Sequence, residues 1–433
     1  MNISDAPERA VIRLLILVLS LFSLNLEAQE SHYQLEKVVE VSRHGVRPPT
    51  PGDRKLIEAG SGRSWPAWQT EDGHLTGHGE AAVILKARYE VQRYRELGLL
   101  TTGCPSSGEV YFRSSPLQRT QATAKAYSSA AFPGCDVPVE TLKNKDPLFS
   151  FPSHKASEAE KARNRQEALT ALGGDLNQAQ QRLRPQISAL KKAVCEKDLP
   201  CPAFEQSWVL KTWSNGGLAI EGLDTLAAMA ETIRLAWNEN QPLDKVAFGQ
   251  AGSAAGVGKL MPLLTAKYDY TNDLPSAARR GGSVLMGQIA KALRLGEQQD
   301  APPDVRWLLY VASDINIAYL RTLLHFTWQQ GDYPRGNIPP GGSLVFERWQ
   351  DTQSQQRYLR VYFQSQSLDQ IRHLTPLTSI NTLAITEWHF PGCKSTPVGT
   401  LCPYDLSLQR LEENRDPSLI EEVSYSYPYE RAH

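Results

Sequence analysis

The stretch that decides the fold is Leu35-Glu36-Lys37-Val38-Val39-Glu40-Val41-Ser42-Arg43-His44-Gly45-Val46-Arg47-Pro48-Pro49. Its first half, residues 35–41, is rich in β-branched residues and predicts a strand. Its second half places His44 between Arg43 and Arg47, immediately after that strand. Because α/β sheets present their binding crevices at the carboxyl ends of strands, this order predicts an α/β fold with a site at His44.

The two arginines indicate a site for an anion. Guanidinium groups bind phosphate oxygens in a bidentate manner and stay charged at any relevant pH. Gly45 permits a close approach of the backbone or an unusual turn. The bare Arg-His-Gly tripeptide is also typical of a solvated loop, but the preceding strand and the second arginine favour a site.

A second signal lies at Ser114-Ser115-Pro116-Leu117-Gln118-Arg119-Thr120. It predicts a helix from Leu117 to about Ala131, with Ser115 as N-cap and Pro116 in the first position. Arg119 then lies in the first turn, where backbone N–H groups and the helix dipole favour anions. An exposed helical arginine without a function is the alternative.

A third signal is Ser313-Asp314, which follows the apolar strand predicted at Val305–Val311. The carboxyl group of Asp314 is available for chemistry at a strand end. An N-cap is the alternative, and the same residue can serve both purposes.

The remaining pattern predicts a central, mostly parallel sheet with flanking helices, interrupted by a helical insertion. Apolar residues at helical spacing predict one long helix from Thr76 to Leu100. Further strands are predicted at 109–112, 343–349 and 358–363. We therefore assign residues 29–150 and 291–433 to an α/β catalytic domain and 151–290 to a mostly helical cap domain, with the tail after Arg410 on the surface.

The N-terminus has the pattern of a secretory signal peptide over residues 1–28. Arg9 and Arg13 precede an apolar run from Leu14 to Leu26, and the small residue Ala28 precedes the predicted cut. A membrane anchor is the alternative, but the run has about 13 residues where a span needs roughly 20. We expect a periplasmic or secreted protein, with no membrane association after cleavage.

Six cysteines fit such an oxidising compartment. Proximity along the chain suggests three disulfides, and none of the couples has the spacing of a zinc site. The suggested couples are Cys104–Cys135, Cys195–Cys201 and Cys393–Cys402. Six buried free thiols are the alternative.

The near-neutral net charge excludes an overall basic surface of the kind that binds nucleic acids. The chain has 433 residues, 41% of them hydrophobic and 21% charged, and its formal net charge is −1. An anionic substrate must therefore be attracted by a local cluster of arginines, and we expect no nucleic-acid partner.

Together the three signals resemble the histidine acid phosphatases, which include bacterial phytases and glucose-1-phosphatases. The R-H-G-x-R-x-P motif of that family is matched in full, and its later arginine is matched at Arg119. The motif residues are Arg43, His44, Gly45, Arg47 and Pro49. Residues 339–349, PPGGSLVFERW, are similar to a stretch of the enterobacterial members, and the three cysteine couples are similar to disulfides of those members. The resemblance extends from about residue 34 to 405 and is weakest in the helical middle.

The resemblance implies a phosphoglycerate mutase-like fold and a phosphohistidine intermediate on His44. It further implies that Asp314 protonates the leaving alcohol and then helps to activate water. The phosphate oxygens would be held by Arg43, Arg47 and Arg119. It implies no metal and no cofactor, and a small-molecule phosphate monoester as substrate. We expect a monomer.

One departure from the family pattern concerns phosphate binding. The family has a His-Asp dipeptide where this chain has Ser313-Asp314. Ser313 can still donate a hydrogen bond to phosphate, but losing a charged contact weakens binding by roughly 1.5–3 kcal/mol. The prediction is therefore an active phosphatase, with a weakened phosphate-binding homologue as the alternative.

A phosphotransfer mutase from the other branch of the superfamily also shares the Arg-His-Gly motif. Such enzymes are shorter and cytosolic, so the signal peptide and the cysteines disfavour this alternative. The choice between phytate, a sugar phosphate and a broad range of substrates stays open at this point.

Overall fold

The computed structural model describes residues 31–296, 298–419 and 421–426. The predicted signal peptide at residues 1–28 lies outside them. Within the described residues, no helix is long and apolar enough to cross a membrane.

Eleven strands are present in the described part of the chain. They are β1 (Tyr33–Arg43), β2 (Val110–Ser114), β3 (Val139–Thr141), β4 (Val209–Thr212), β5 (Leu218–Glu221), β6 (Trp307–Ala312), β7 (Ser343–Asp351), β8 (Arg357–Ser365), β9 (Ala384–Glu387), β10 (Lys394–Thr396) and β11 (Gly399–Pro403). Nine form one sheet in the order β10-β11-β8-β7-β1-β6-β2-β3, with β9 paired to β8, and β4 and β5 form a separate hairpin. The strands β1, β6, β2 and β3 pair in parallel, whereas β7 and its neighbours pair antiparallel. The parallel half is the one that carries the predicted site.

Helices flank this sheet and fill the middle of the chain. They are α1 (Pro51–Ser61), α2 (Gly77–Glu96), α3 (Gln118–Ala131), α4 (Glu158–Ala171), α5 (Leu176–Arg182), α6 (Arg184–Val194), α7 (Leu223–Asn238), α8 (Ala254–Lys259), α9 (Pro262–Lys267), α10 (Pro275–Leu293), α11 (Asp314–Leu323), α12 (Leu368–Arg372) and α13 (Tyr404–Glu412). A π-helical turn, Tyr268–Asn272, follows α9. The predicted α/β class, with a central sheet and flanking helices, is confirmed.

The boundaries of the predicted helices differ in two places. Ser115 is not the N-cap of α3, because its N–H donates to Val311 O at 3.0 Å and so continues the pairing with β6. Leu117 takes the cap position instead. Residues 48–52 are rich in Pro and Gly, a composition that predicts a loop, but α1 begins within them at Pro51, with Thr50 as a side-chain cap.

The helical middle shares its core with the sheet. A single apolar cluster contains both Val41 of β1 and Ile233 of α7. Between α4 and α10 the chain is mostly helical, with the β4–β5 hairpin as its described sheet. The division into a catalytic domain and a cap domain at residues 151–290 remains our proposal.

The three predicted disulfides are confirmed. Cys104 is bonded to Cys135, Cys195 to Cys201, and Cys393 to Cys402.

The tail was expected to be surface structure throughout, and this is wrong for its last described residues. Val423 is buried, and the Tyr425 hydroxyl lies 2.8 Å from that of Tyr310 in the sheet. Arg113 also donates to Ser424 O at 2.5 Å. The tail is held because these side chains give it apolar contacts and hydrogen bonds against β2 and β6.

A buried ionic cluster lies between α2 and the sheet. Lys86 Nζ is 3.1 Å from Glu40 Oε1 and 3.5 Å from Glu90 Oε1. Burial and the neighbouring Glu40 raise the pKa of Glu90 from 4.5 to about 8. One lysine thus faces two acids, and Glu90 remains protonated in the fold at neutral pH.

This cluster makes stability depend on pH. The pKa of Glu90 is higher in the folded state than in the unfolded state, so protonation of Glu90 stabilises the fold. This stabilisation is complete below pH 4.5 and is lost as the pH rises to about 8. We expect Glu90→Gln to increase the free energy of unfolding by roughly 1–3 kcal/mol at pH 7, with little change at pH 4. Urea denaturation at the two pH values measures this difference. Glu96→Gln, an exposed change on the same helix, is the control, and an equal effect of the two variants would contradict the prediction.

Candidate active site

Neighbouring parallel strands bring the three sequence signals to one edge of the sheet. Arg43 at the end of β1 is in register with Ala312 at the end of β6, and Ser114 of β2 is in register with Val311. His44, the first residue after β1, therefore lies beside Asp314, the first residue of α11. The α3 helix, which begins shortly after β2, places Arg119 at the same edge.

His44 is fixed by its backbone and by its ring. Its N–H donates to Ala312 O at 3.0 Å, and its carbonyl accepts from the Gly341 N–H at 2.9 Å. Its Nδ1 lies 2.8 Å from Gly45 O. A carbonyl can only accept, so Nδ1 carries the proton and the lone pair is on Nε2.

The imidazole is also kept neutral. His44 is 1% exposed, and burial lowers its pKa well below the usual range, with further lowering by Arg43, Arg47 and Arg119. A neutral ring with its lone pair on Nε2 is a nucleophile, and it remains one in acid.

Position 45 must be glycine because there is no room for a side chain there. A Cβ at this position would lie 2.7 Å from Leu75 Cδ1 and 3.2 Å from Gly79 O. Its N–H donates to Thr123 Oγ1 of α3 at 3.0 Å. The glycine of the motif therefore lets the loop after β1 pack closely against both α2 and α3.

The three predicted arginines form one electropositive cluster. Arg43 and Arg47 are buried and Arg119 is half-buried. Burial lowers the pKa of Arg119 to about 10, with repulsion from Arg47 and Arg43 as further causes. The Nε atoms of all three are buried without a partner among the described residues. The three positive charges of this cluster repel one another, and a bound phosphate dianion reduces that repulsion.

Arg43 has a counter-ion that the sequence pattern does not predict. Its Nη2 donates to Glu231 Oε1 of α7 at 2.5 Å, and its Nη1 donates to Ile338 O at 2.7 Å. Glu231 also accepts from Arg234. Burial alone would raise the pKa of Glu231, but Arg234, Arg43 and Arg47 lower it to about 2. The available signal was a glutamate and an arginine three residues apart in a helix that is mostly apolar.

Asp314 is the first residue of α11 and is half-buried. Its Oδ2 accepts a hydrogen bond from the Tyr268 hydroxyl, a partner that the sequence pattern does not predict either. Burial opposes its ionisation, but Arg43 and the Tyr268 hydrogen bond lower its pKa to about 2. At neutral pH the carboxyl group is therefore ionised.

Ser313 is the N-cap of α11, so the capping alternative applies to Ser313 rather than to Asp314. Its hydroxyl donates to Asn316 Oδ1 at 2.9 Å, and its N–H does so at 3.2 Å. The hydroxyl that was predicted to bind phosphate is thus engaged within its own helix.

The part of the chain that the structure describes contains no group of three or more His, Cys, Asp or Glu residues placed to hold a metal ion. The chemistry available at this edge is a neutral imidazole, three guanidinium groups and one carboxyl group. Together these can bind a phosphate group and attack it.

Comparison with known proteins agrees with this geometry. A solved structure of a phytase from Klebsiella sp ASR1 is 47% identical, with a TM-score of 0.85 over 91% of this chain and 98% of that one. Glucose-1-phosphatase from Salmonella typhimurium is 28% identical over 86% of this chain and 91% of its own length. Phytase AppA from Escherichia coli is 28% identical over 90% of this chain and 94% of its own.

The family model described as histidine phosphatase superfamily (branch 2) matches residues 34–364. That span begins in β1, ends in β8 and includes every residue of the cluster described above. The chain therefore belongs to branch 2 of the histidine phosphatase superfamily.

Proposed function

We propose that this protein hydrolyses phosphate monoesters through a phosphohistidine formed on His44. The observation that carries the proposal is the hydrogen bond from His44 Nδ1 to Gly45 O. It leaves the Nε2 lone pair free on a ring that lies near three arginines, Arg43, Arg47 and Arg119. This is the arrangement that nucleophilic attack on phosphorus needs.

In the first step, Nε2 attacks phosphorus and the bond from phosphorus to the alcohol oxygen breaks. Asp314, protonated at that stage, gives its proton to the departing oxygen. Arg43, Arg47 and Arg119 hold the phosphate oxygens and stabilise the charge that develops on them.

In the second step, water attacks the phosphohistidine and the bond from phosphorus to nitrogen breaks. Asp314, now ionised, accepts the proton of that water, and phosphate leaves. The enzyme returns to its starting state with no net change in any side chain.

The charges of the site support activity in acid. Because the pKa of His44 is lowered, its imidazole stays unprotonated at pH values where an ordinary histidine is charged. A bound phosphate dianion raises the pKa of Asp314 from its low value of about 2, so the acid form is available at low pH.

Phytate is the first substrate to test, because the phytase from Klebsiella sp ASR1 is 47% identical to this chain. Glucose 1-phosphate follows, on the 28% identity to a glucose-1-phosphatase. The alternative of a weakened phosphate-binding homologue is not favoured, since a binder needs neither a nucleophile nor a proton donor. Both are present in His44 and Asp314.

We further propose that the protein acts in the periplasm or outside the cell, as a monomer. The predicted signal peptide at residues 1–28 and the three disulfides support export.

Phosphate release by the purified mature chain across pH 3 to 8 tests the function. The substrates are phytate, glucose 1-phosphate and an aryl phosphate. Turnover that is greatest at acid pH supports the proposal, whereas phosphate binding without turnover would revive the alternative.

Ser313 provides a separate prediction. We expect Ser313→His to lower the KM for phosphate monoesters, and the inhibition constant for phosphate, by about tenfold, because it adds a charged donor. Losing the serine cap should cost about 1 kcal/mol of stability. Ser313→Ala removes the same cap without adding the donor and is the matched control. Equal KM values for the two variants would show that position 313 does not contact phosphate.

A further inference from the structure

One tyrosine hydroxyl is hydrogen-bonded to the carboxyl group of Asp314, which acts as acid and base in the proposed function. Tyr268 donates to Asp314 Oδ2. Among the hydrogen bonds of the described residues, the other oxygen of Asp314, Oδ1, accepts none. A single donor therefore engages one carboxyl oxygen and leaves the other for the leaving group and water.

Tyr268 is held firmly in this position. It is 5% exposed and is the first residue of the π-helical turn Tyr268–Asn272, a kind of turn that is frequent at functional sites. The turn is closed by the Asp273 N–H, which donates to Tyr268 O at 2.8 Å.

Arg321 joins this turn to the helix that carries the acid. Its guanidinium carbon lies 5.4 Å from the centroid of the Tyr268 ring, and its Nη2 donates to Asp273 Oδ2 at 2.8 Å. Arg321 lies on α11, whose first residue is Asp314. The tyrosine and the carboxyl group are thus parts of one interlocked unit.

We propose that Tyr268 is a positioning residue for Asp314. Its hydroxyl aims the carboxyl group and stabilises the anion that forms when Asp314 gives its proton to the leaving alcohol. A hydrogen bond to a charged acceptor is about twice as strong as one to a neutral acceptor, so the bond strengthens as the proton departs. This inference rests on the proposed function.

Several other charged groups face Asp314 and must be separated from the effect of Tyr268. They are Arg43 at the end of β1, Arg47 in the following loop, Arg119 of α3, Lys267 of α9 and Glu231 of α7. All five remain when Tyr268 is changed to phenylalanine. The change in the pKa of Asp314 in that variant then reports the hydroxyl alone, and loss of a donor to the anion raises this pKa.

The direct test is a titration of Asp314 by carboxyl-carbon NMR in aspartate-labelled protein, with Asp314→Asn to assign the signal. We expect Tyr268→Phe to raise the pKa of Asp314 by about one unit. Tyr270→Phe removes a hydroxyl two residues along the same turn and should leave the pKa unchanged. An unchanged pKa in Tyr268→Phe would overturn the inference, and this readout needs no turnover.

Leaving-group dependence is the second test. Alkyl phosphates need protonation of the leaving oxygen, whereas a nitrophenyl phosphate needs it far less. We expect Tyr268→Phe to lower kcat/KM about tenfold for the alkyl substrate, with a much smaller loss for the aryl one. An equal loss on both substrates would indicate a structural role and overturn the inference. A wild-type protein without turnover would defeat the proposed function instead, and the titration would still decide the role of Tyr268.

Discussion

Replacing His44 with alanine should lower kcat for phosphate release on the order of 100,000-fold, the largest effect of any change proposed for this chain. The arginines of the variant can still bind the substrate, but no covalent intermediate can form. KM should therefore change much less than kcat. His373→Ala removes an exposed histidine elsewhere and is the control, with an expected kcat close to that of the wild type.

The covalent step can be observed directly. The enzyme is mixed with an aryl phosphate that is radiolabelled on phosphorus, and the reaction is stopped rapidly without acid. Label should remain on the wild-type protein and be absent from His44→Ala. Asp314→Asn should retain more label than the wild type, because the water of the second step has lost its base. Label on His44→Ala would place the nucleophile elsewhere.

Glu231 is expected to give the second largest effect, although it needs no contact with the substrate. Its carboxylate lies between Arg43 and Arg234, both almost fully buried. Removing one partner of a buried ion pair is strongly destabilising because it leaves uncompensated charge. For Glu231→Gln we expect the free energy of unfolding to fall by about 3–5 kcal/mol.

The same variant should also lower kcat/KM roughly 100-fold and weaken inhibition by phosphate, because Arg43 loses the group that orients it. Glu239→Gln, at the residue that directly follows the end of α7, is the matched control. Burial raises the pKa of Glu239 to about 7, so this group is already largely neutral in acid and its replacement should change little. Urea denaturation and steady-state kinetics at pH 5 measure both effects. If phosphate inhibits Glu231→Gln as strongly as the wild type, Glu231 does not orient Arg43 and its role is purely structural.

The residues with a local signature were predicted from the sequence, and those that act across the fold were not. Arg43, His44 and Arg47 follow a β-branched run, and Asp314 follows an apolar run. These strand ends, with the arginines beside His44, marked the site in the sequence. Glu231 and Tyr268 belong to the helical middle, where the pattern predicted helices but no chemistry. Their contacts join residues 188 and 46 positions apart along the chain, which no local pattern reveals.

Position 313 shows how the structure changes the meaning of a residue. The sequence showed serine where the family has histidine and suggested a weaker contact to phosphate. The structure shows the same hydroxyl bonded to Asn316, because a serine at a helix start satisfies its own helix first.

The sequence by itself determined the fold class, the family and the order of the chemical groups, because strand periodicity and the spacing within a motif are local properties. Only the tertiary structure decided which groups meet. The parallel pairing of β1, β6 and β2 brings His44, Asp314 and Arg119 to one sheet edge. The burial of that edge against α7 and the π-helical turn then supplies Glu231 and Tyr268, because charges taken out of water must find partners wherever the folded chain provides them.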